Sequence, residues 1–159
     1  MIYHYNTEHF LPISIEQAWD FFSSAKNLSK ITPPEMSFKI LTDLGDQEVF
    51  EGLLIDYIVR PIMGIPLPWQ TEIFKVNKPN SFSDRQLKGP YKIWEHTHSF
   101  IQMDNGVLVK DQVKYELPLW ILGDIAHFVF VKKKVESIFK FREQALNRIF
   151  LSHQFKSDL

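Results

Sequence analysis

The chain has 159 residues, which suits one domain that buries a sizeable core without a metal or a disulfide. Its 18 basic and 19 acidic side chains give a net charge of −1, so nucleic acid is not an expected partner. Cysteine is absent, which excludes disulfides, thiolate nucleophiles and cysteine zinc sites and favours a cytoplasmic protein.

Apolar and aromatic residues are distributed as in a globular protein. The 14 Phe, 4 Trp and 5 Tyr residues can close a core or line a cavity for a flat apolar ligand. The longest apolar stretch, residues 117–131, is interrupted by Pro118, Asp124 and His127. We therefore predict no membrane-spanning segment and no integral membrane association.

The first part of the chain is predicted to form a strand and two helices. Residues 3–11 alternate between polar and apolar and end at Pro12, as a strand would. Ser14 can cap a following helix, because Gln17 stands at the capping-box position. A second short helix is predicted over residues 25–31, before two consecutive prolines that would end it.

Strands without an intervening helix follow, predicted over residues 38–41, 49–60, 69–76, 81–87, 92–103 and 107–117. Asp104-Asn105-Gly106 is a strong hairpin signal between the last two, so the strands should form an antiparallel meander. Helical spacing from 123 to about 151 then predicts a long helix that must lie along the sheet.

The predicted fold class is therefore α+β. A curved antiparallel sheet of about seven strands wraps around the long C-terminal helix, with two short helices after the first strand. We expect a single domain over residues 1–151 and a frayed tail over residues 152–159.

Apolar loops are predicted to cluster at one end of the sheet, since successive loops of a meander alternate between its two ends. They could pack together as a plug, form the mouth of a pocket, or meet a carrier, a membrane surface or a second subunit in a homodimer. The expected pocket-mouth residues are Ile62, Met63, Ile65, Leu67 and Trp120.

Polar side chains are predicted to point inward from the last strands. Trp94, His96 and His98 share one face of their strand, and Asp111 should lie opposite His98 because a tight turn joins the two strands. The expected ligand-binding residues are Tyr57, Trp69, Thr71, Asp84, Gln86, Trp94, His96, His98, Asp111, Tyr115 and Phe128.

Three interpretations of this inward cluster stay open. The Asp and His side chains could be core hydrogen bonds that fix the strand register, or they could orient an otherwise apolar ligand. They could also do chemistry, with His96 and His98 as the catalytic candidates. A His-x-His pair beside a carboxylate could hold a divalent ion, but the spacing is not specific, so no metal and no other cofactor is predicted.

Three groups of residues carry a resemblance to a known family. They are Phe10-Leu11-Pro12 with Trp19-Asp20-Phe21-Phe22, Asn27-Leu28 and Ile31-Thr32-Pro33; Asp84-Arg85-Gln86 with Gly89-Pro90-Tyr91, residues 94–100 and the Asp111, Val113 and Tyr115 alternation; and Ile138-Phe139-Lys140-Phe141-Arg142. With the order of elements, they resemble the START-like or Bet v 1-like (SRPBCC) superfamily, and within it small bacterial ligand-binding, polyketide cyclase/dehydrase-like or CoxG-like proteins.

The resemblance implies a helix-grip fold that binds a small hydrophobic molecule, lipid-like or polyketide-like, between the sheet and the C-terminal helix. Its alternative is a cyclase, aromatase or dehydratase that uses His96 and His98. A second alternative is an interaction module that dimerises through the apolar loops. Because a fold does not determine a function, these stay expectations.

Overall fold

A computed structural model describes residues 1–60, 64–118 and 130–151. The elements in chain order are β1 (Ile2–Leu11), α1 (Ile15–Phe22), two 3₁₀ helices (Ala25–Ile31 and Pro34–Met36), β2 (Lys39–Ile40), β3 (Leu54–Val59), β4 (Leu67–Asn77), β5 (Ser81–Lys88), β6 (Ile93–Met103), β7 (Gly106–Glu116) and α2 (Lys132–Phe150). The seven strands form one antiparallel sheet in the order β1-β7-β6-β5-β4-β3-β2. The predicted α+β fold, with a curved sheet and a long C-terminal helix, is confirmed.

Local signals explain where the first elements begin. The Ser14 side chain accepts a hydrogen bond from the Gln17 backbone N–H, and the Gln17 side chain accepts one from the Ser14 backbone N–H. This reciprocal pair satisfies N–H groups that a helix start leaves free, as predicted for α1. The segment predicted as a second short helix is a 3₁₀ helix, which Ser24 does not cap with its side chain.

The strand predicted over residues 49–60 is shorter in the structure. It runs only from Leu54 to Val59, and a turn precedes it in which Gly52 has a φ of 88°. An L side chain rarely adopts that conformation, so the glycine allows the turn. Val49 and Leu53 are nevertheless buried, which explains the apolar run that suggested a longer strand.

The β6–β7 hairpin fixes the register of the sheet centre. Met103 faces Gly106 across the turn and His96 faces Val113. His98 faces Asp111, as predicted. Gly106 also lies against β1, where a Cβ atom would collide with the carbonyl oxygen of Leu11 and the Phe10 ring. The glycine therefore lets β1 and β7 approach each other.

Helix α2 packs against the sheet through one apolar face. Val135, Phe139 and Leu146 recur at helical spacing and are buried. The Phe139 ring lies 5.1 Å from that of Tyr5 on β1 and 5.6 Å from that of His96 on β6. The helix was predicted to begin at 123, but residues 123–129 lie outside the described ranges, as do residues 152–159 of the expected tail.

Two apolar clusters fill the interior. One is built around α1, where the Trp19 ring meets Phe82 and Phe100 edge-on at 5.9 and 6.3 Å. The other joins Val113 and Tyr115 of β7 to α2. Within the ranges that the structure describes, no helix is long and apolar enough to cross a membrane.

Candidate functional site

A cavity of about 200 Å³ lies between α2, the 3₁₀ helices and strands β3 to β6. Apolar side chains from the 3₁₀ segment, including Ala25, Leu28 and Met36, form one wall. Aromatic rings supply much of the remainder: Phe21, Phe22, Phe38, Tyr57, Trp69, Phe82, Tyr91, Trp94 and Phe139. The contribution of the 3₁₀ helices to the cavity wall was not predicted, because nothing in their local sequence pattern shows which distant strands they face.

Most of the predicted ligand-binding residues meet in this cavity, and a few do not. Those that line it are Tyr57, Trp69, Thr71, Asp84, Trp94, His96 and His98. Asp111 lies behind the two histidines, and Tyr115 belongs to the apolar cluster beneath α2. Gln86 is not part of the lining, and Phe128 lies outside the described residues.

Gln86 instead closes the β5–β6 connection. Its amide donates to the Tyr91 carbonyl at 2.6 Å and accepts from the Tyr91 N–H at 3.2 Å. The side chain therefore holds a loop and has its polar groups satisfied there. Strand alternation predicts that Gln86 shares a face with Asp84. Alternation does not predict this local hydrogen bond to Tyr91.

The predicted pocket mouth is only partly covered by the described residues. Ile65 is exposed and Leu67 is half-buried, and neither lines the cavity. Ile62, Met63 and Trp120 lie outside the described ranges. The position of the mouth thus stays a prediction.

One carboxylate oxygen organises the polar centre. Asp111 Oδ1 lies 2.9 Å from His96 Nε2, 2.9 Å from His98 Nδ1 and 3.2 Å from Arg142 Nη2. All four side chains are buried, so leaving this carboxylate without donors would be costly. Donors from β6 and α2 therefore converge on an acceptor in β7 and tie the helix to the sheet.

Arg142 is a buried member of this cluster that was not predicted from the sequence. It lies on the buried face of α2, and its guanidinium carbon is 5.3 Å from the Phe22 ring and 5.8 Å from the Phe139 ring. Of the buried side-chain atoms described, its Nε is one of two without a hydrogen-bond partner. Its helical spacing from Val135, Phe139 and Leu146 was a signal in the sequence, because it places Arg142 on the helix face that must be buried.

A second carboxylate meets the histidines from the cavity side. Asp84 Oδ2 lies 3.3 Å from His98 Nε2 and 3.9 Å from His96 Nδ1. The two imidazole centroids are 3.9 Å apart, and the Phe82 ring stacks on His98 at 4.4 Å. Each histidine thus has one nitrogen on Asp111 and the other near Asp84.

The surroundings of the two histidines shift their pKa values in opposite directions. Burial and the neighbouring His98 lower the pKa of His96, although Asp111 partly opposes them. Burial also acts to lower the pKa of His98, but hydrogen bonds to Asp111 and Asp84 outweigh it, so the pKa of His98 is raised. Burial acts to raise the pKa of Asp111, but the Arg142 charge and the two imidazoles hold it well below its usual value.

The distances define the hydrogen bonds within the cluster. Asp111 Oδ1 accepts from His96 Nε2 and His98 Nδ1, and Asp84 Oδ2 lies 3.3 Å from His98 Nε2. Arg142 Nη2 lies 3.2 Å from both Asp111 Oδ1 and His98 Nδ1.

A separate group of hydrogen bonds lines the wall formed by β3 and β4. The Trp69 indole N–H donates to Thr71 Oγ1 at 3.1 Å, and the Tyr57 hydroxyl lies 2.6 Å from the same oxygen. Burial and the nearby Asp84 raise the pKa of Tyr57, so it stays neutral. These polar groups satisfy one another.

The cavity lining contains a possible ligand set for a metal. One donor atom each from Asp84, His96 and His98 lie within 4.8 Å of one another. Imidazole nitrogens and a carboxylate oxygen suit first-row transition ions. The arrangement can therefore bind a polar group, exchange protons or hold an ion.

Solved structures resemble this chain over almost its full length. A START superfamily protein from Mycobacterium smegmatis has a TM-score of 0.67 at 16% identity, covering 95% of this chain and 97% of that one. A norcoclaurine synthase point mutant from Thalictrum flavum, in complex with a transition-state analogue, has a TM-score of 0.67 at 14% identity, covering 97% of both. The chain has the START-like helix-grip fold.

Another structure of this fold is the major latex-like protein 151 from Panax ginseng, with a TM-score of 0.64 at 13% identity, covering 94% of this chain and 98% of that one. The resemblance predicted from the sequence is confirmed for the fold. No family model and no curated protein matches the chain. At these identities the likeness extends to the fold alone.

Proposed function

We propose that this protein binds a small, mostly apolar molecule in the cavity between the sheet and α2. The observation that carries the proposal is an aromatic cavity in which the polar side chains of Asp84, His96 and His98 lie together on the sheet side. Binding sites for small molecules combine apolar lining with a few placed polar groups in this way. The proposal agrees with the fold that this chain shares with the START superfamily protein from Mycobacterium smegmatis.

The size of the cavity narrows the ligand. A dry cavity of roughly 150 Å³ accepts benzene, so about 200 Å³ suits one aromatic ring with small substituents. Trp69 meets the rings of Tyr91 and Trp94 edge-on, and a wall of aromatic rings favours a flat partner. The described part of the cavity thus fits a substituted single ring better than a long lipid chain.

The polar group of the ligand should contact Asp84 and the histidines. Thr71, Tyr57 and Trp69 already satisfy one another, whereas the polar contacts of the Asp84 carboxylate among the described side chains are the two histidines. A hydroxyl can donate to that carboxylate at little cost. We therefore expect a phenolic ligand to bind better than its hydrocarbon counterpart.

Two probes and two matched variants test the proposal. NMR titration should show p-cresol binding to the wild type more tightly than toluene. Leu28→Trp, which fills the cavity, should weaken p-cresol binding at least about tenfold, the equivalent of about 1.4 kcal/mol. Leu54→Trp adds the same ring at an exposed position outside the cavity and should change nothing.

Native mass spectrometry of protein purified from cells complements these titrations, because a ligand bound in the cell should remain attached. If neither probe binds, and if no apolar molecule is retained, the proposal is wrong. Equal loss in both tryptophan variants would also contradict it, since only Leu28 faces the cavity.

A second candidate function is acid–base catalysis on the bound molecule. The observation that favours it is that two neighbouring histidines have pKa values shifted in opposite directions. The pKa of His96 is lowered, whereas that of His98 is raised. Neighbouring groups with separated pKa values are suited to act as base and acid. The norcoclaurine synthase, with its transition-state analogue, is an enzyme built on this fold.

Replacing His96 and His98 by Gln separates the two functions. A catalyst should lose turnover of phenolic carbonyl compounds in the double variant while it keeps its near-ultraviolet circular dichroism. A binding protein should show no turnover in the wild type. Loss of the folded state in the double variant would assign the cluster to structure alone.

A further inference from the structure

The donor atoms on the cavity wall approach the spacing of a metal site. Asp84 Oδ2 lies 3.3 Å from His98 Nε2 and 3.9 Å from His96 Nδ1. Ligands about 2.1 Å from a tetrahedral ion stand roughly 3.4 Å from each other. The first distance already fits, the second needs a closure of about half an ångström, and all three donor atoms lie within 4.8 Å of one another.

In each histidine, the ring nitrogen that points away from Asp84 is hydrogen-bonded in the way that metal sites require. His96 Nε2 and His98 Nδ1 each lie 2.9 Å from Asp111 Oδ1, on the side away from Asp84. Metal-binding histidines commonly donate the second ring N–H to a carboxylate, which fixes the tautomer and orients the lone pair toward the ion. Here one buried carboxylate does this for two rings at once.

The hydrogen bond to Asp111 also orients the other edge of the His96 ring. With Nε2 donating to Asp111 Oδ1, the ring presents Nδ1 toward Asp84 Oδ2 at 3.9 Å. Two acceptor atoms that face each other in this way can share a cation placed between them and His98 Nε2.

We propose that Asp84, His96 and His98 bind a divalent first-row transition ion, with Asp111 and Arg142 as the positioning shell. Two imidazoles and one carboxylate are typical of zinc and non-haem iron sites that keep an open coordination position. Arg142 Nη2 contacts Asp111 at 3.2 Å and so offsets that charge, which leaves Asp84 as the anionic ligand.

The open position has a consequence for the ligand. All three residues line the apolar cavity, so a molecule held there can reach the ion with an oxygen donor such as a phenolate or a carboxylate. The ion goes beyond the proposed binding of apolar molecules and does not depend on it. The sequence analysis predicted no metal because His-x-His spacing alone does not specify one.

The experiment uses the metal alone on the full chain. Protein stripped with a chelator should bind one Zn²⁺ by isothermal titration calorimetry, and one Co²⁺ with a visible absorption band of nitrogen coordination. Asp84→Asn, His96→Gln and His98→Gln should each weaken Zn²⁺ binding about 100-fold or more, since each removes one of three ligands. Asp111→Asn keeps all three ligands and should weaken it about 10–100-fold.

His4→Gln is the matched control, because His4 is exposed on β1 and lies away from the cavity. It should leave the affinity unchanged. If a histidine variant fails to fold, Asp84→Asn decides, because the substitution preserves the shape of the side chain. A wild type that binds neither ion, or an Asp84→Asn variant that binds as tightly as His4→Gln, overturns the proposal.

The outcome is distinguishable from a failure of the proposed function. Metal binding is measured without any organic ligand, and p-cresol binding is measured on chelator-stripped protein. Either result can be negative while the other is positive.

Discussion

Arg142→Met tests the electrostatic centre of the protein most directly. The change removes the guanidinium that lies 3.2 Å from Asp111 Oδ1, yet the unbranched side chain keeps much of the packing against Phe22 and Phe139. The carboxylate is then left buried with imidazole donors alone. Breaking a buried ion pair from one side costs about 3–5 kcal/mol, which is a large fraction of the roughly 5–15 kcal/mol of a typical domain.

Urea unfolding followed by far-ultraviolet circular dichroism measures this loss. In a thermal melt, we expect the unfolding temperature of a chain of this length to fall by on the order of 10 °C. Arg85→Met is the matched control, because Arg85 forms an exposed ion pair with Glu72 and should change the free energy of unfolding by less than about 1 kcal/mol.

The double variant Asp111→Asn with Arg142→Met completes the cycle. Because it removes both charges, it should lose less free energy of unfolding than the two single changes added together. The reasoning is refuted if Arg142→Met costs no more than Arg85→Met. Strict additivity of the two single variants would refute it as well.

Three further predictions concern pH, a helix cap and a close backbone approach. In metal-free protein, three buried groups set the pH dependence of stability. The lowered pKa of Asp111 contributes stability that is lost as the pH falls through its folded value, and the raised pKa of His98 contributes stability that is lost as the pH rises through its own. The lowered pKa of His96 contributes stability that is lost as the pH falls below about 6.5, so unfolding followed against pH should show a maximum near pH 6.5, which Asp111→Asn flattens. Ser14→Ala should lower the free energy of unfolding by about 1 kcal/mol in urea, and an unchanged midpoint would mean that the capping box of α1 contributes nothing. Gly106→Ala should cost about 1–3 kcal/mol by thermal unfolding, because its Cβ meets the backbone of Leu11; a neutral result would show that β1 shifts freely.

The register of the polar cluster was predictable because strand alternation has a period of two. Once the hairpin turn is placed at Asp104-Asn105, His98 must face Asp111, and the structure confirms it. In the structure, Asp84 lies opposite His96. Strand alternation did not predict the contacts of Gln86, because that side chain bonds to the loop after β5.

What sequence patterns could not supply is contact between distant segments. Arg142 reads as a polar position on a helix, and only the docking of α2 brings it to Asp111. Likewise, Leu28 and Met36 reach the cavity because the 3₁₀ helices fold across the sheet. Periodicity is a local property, whereas these contacts depend on the packing of elements far apart in the chain.

The pairing of β1 with β7 has a consequence for folding order. The other neighbours in the sheet are also neighbours in sequence, but Ile2 pairs with Glu116, more than a hundred residues away. Closing so long a loop costs about 2 kcal/mol more than closing a hairpin such as the one that joins His96 and Asp111, which are 15 residues apart. We expect the meander to form first, with the histidines and both carboxylates already in register. The N-terminal strand and Arg142 should then pack against it.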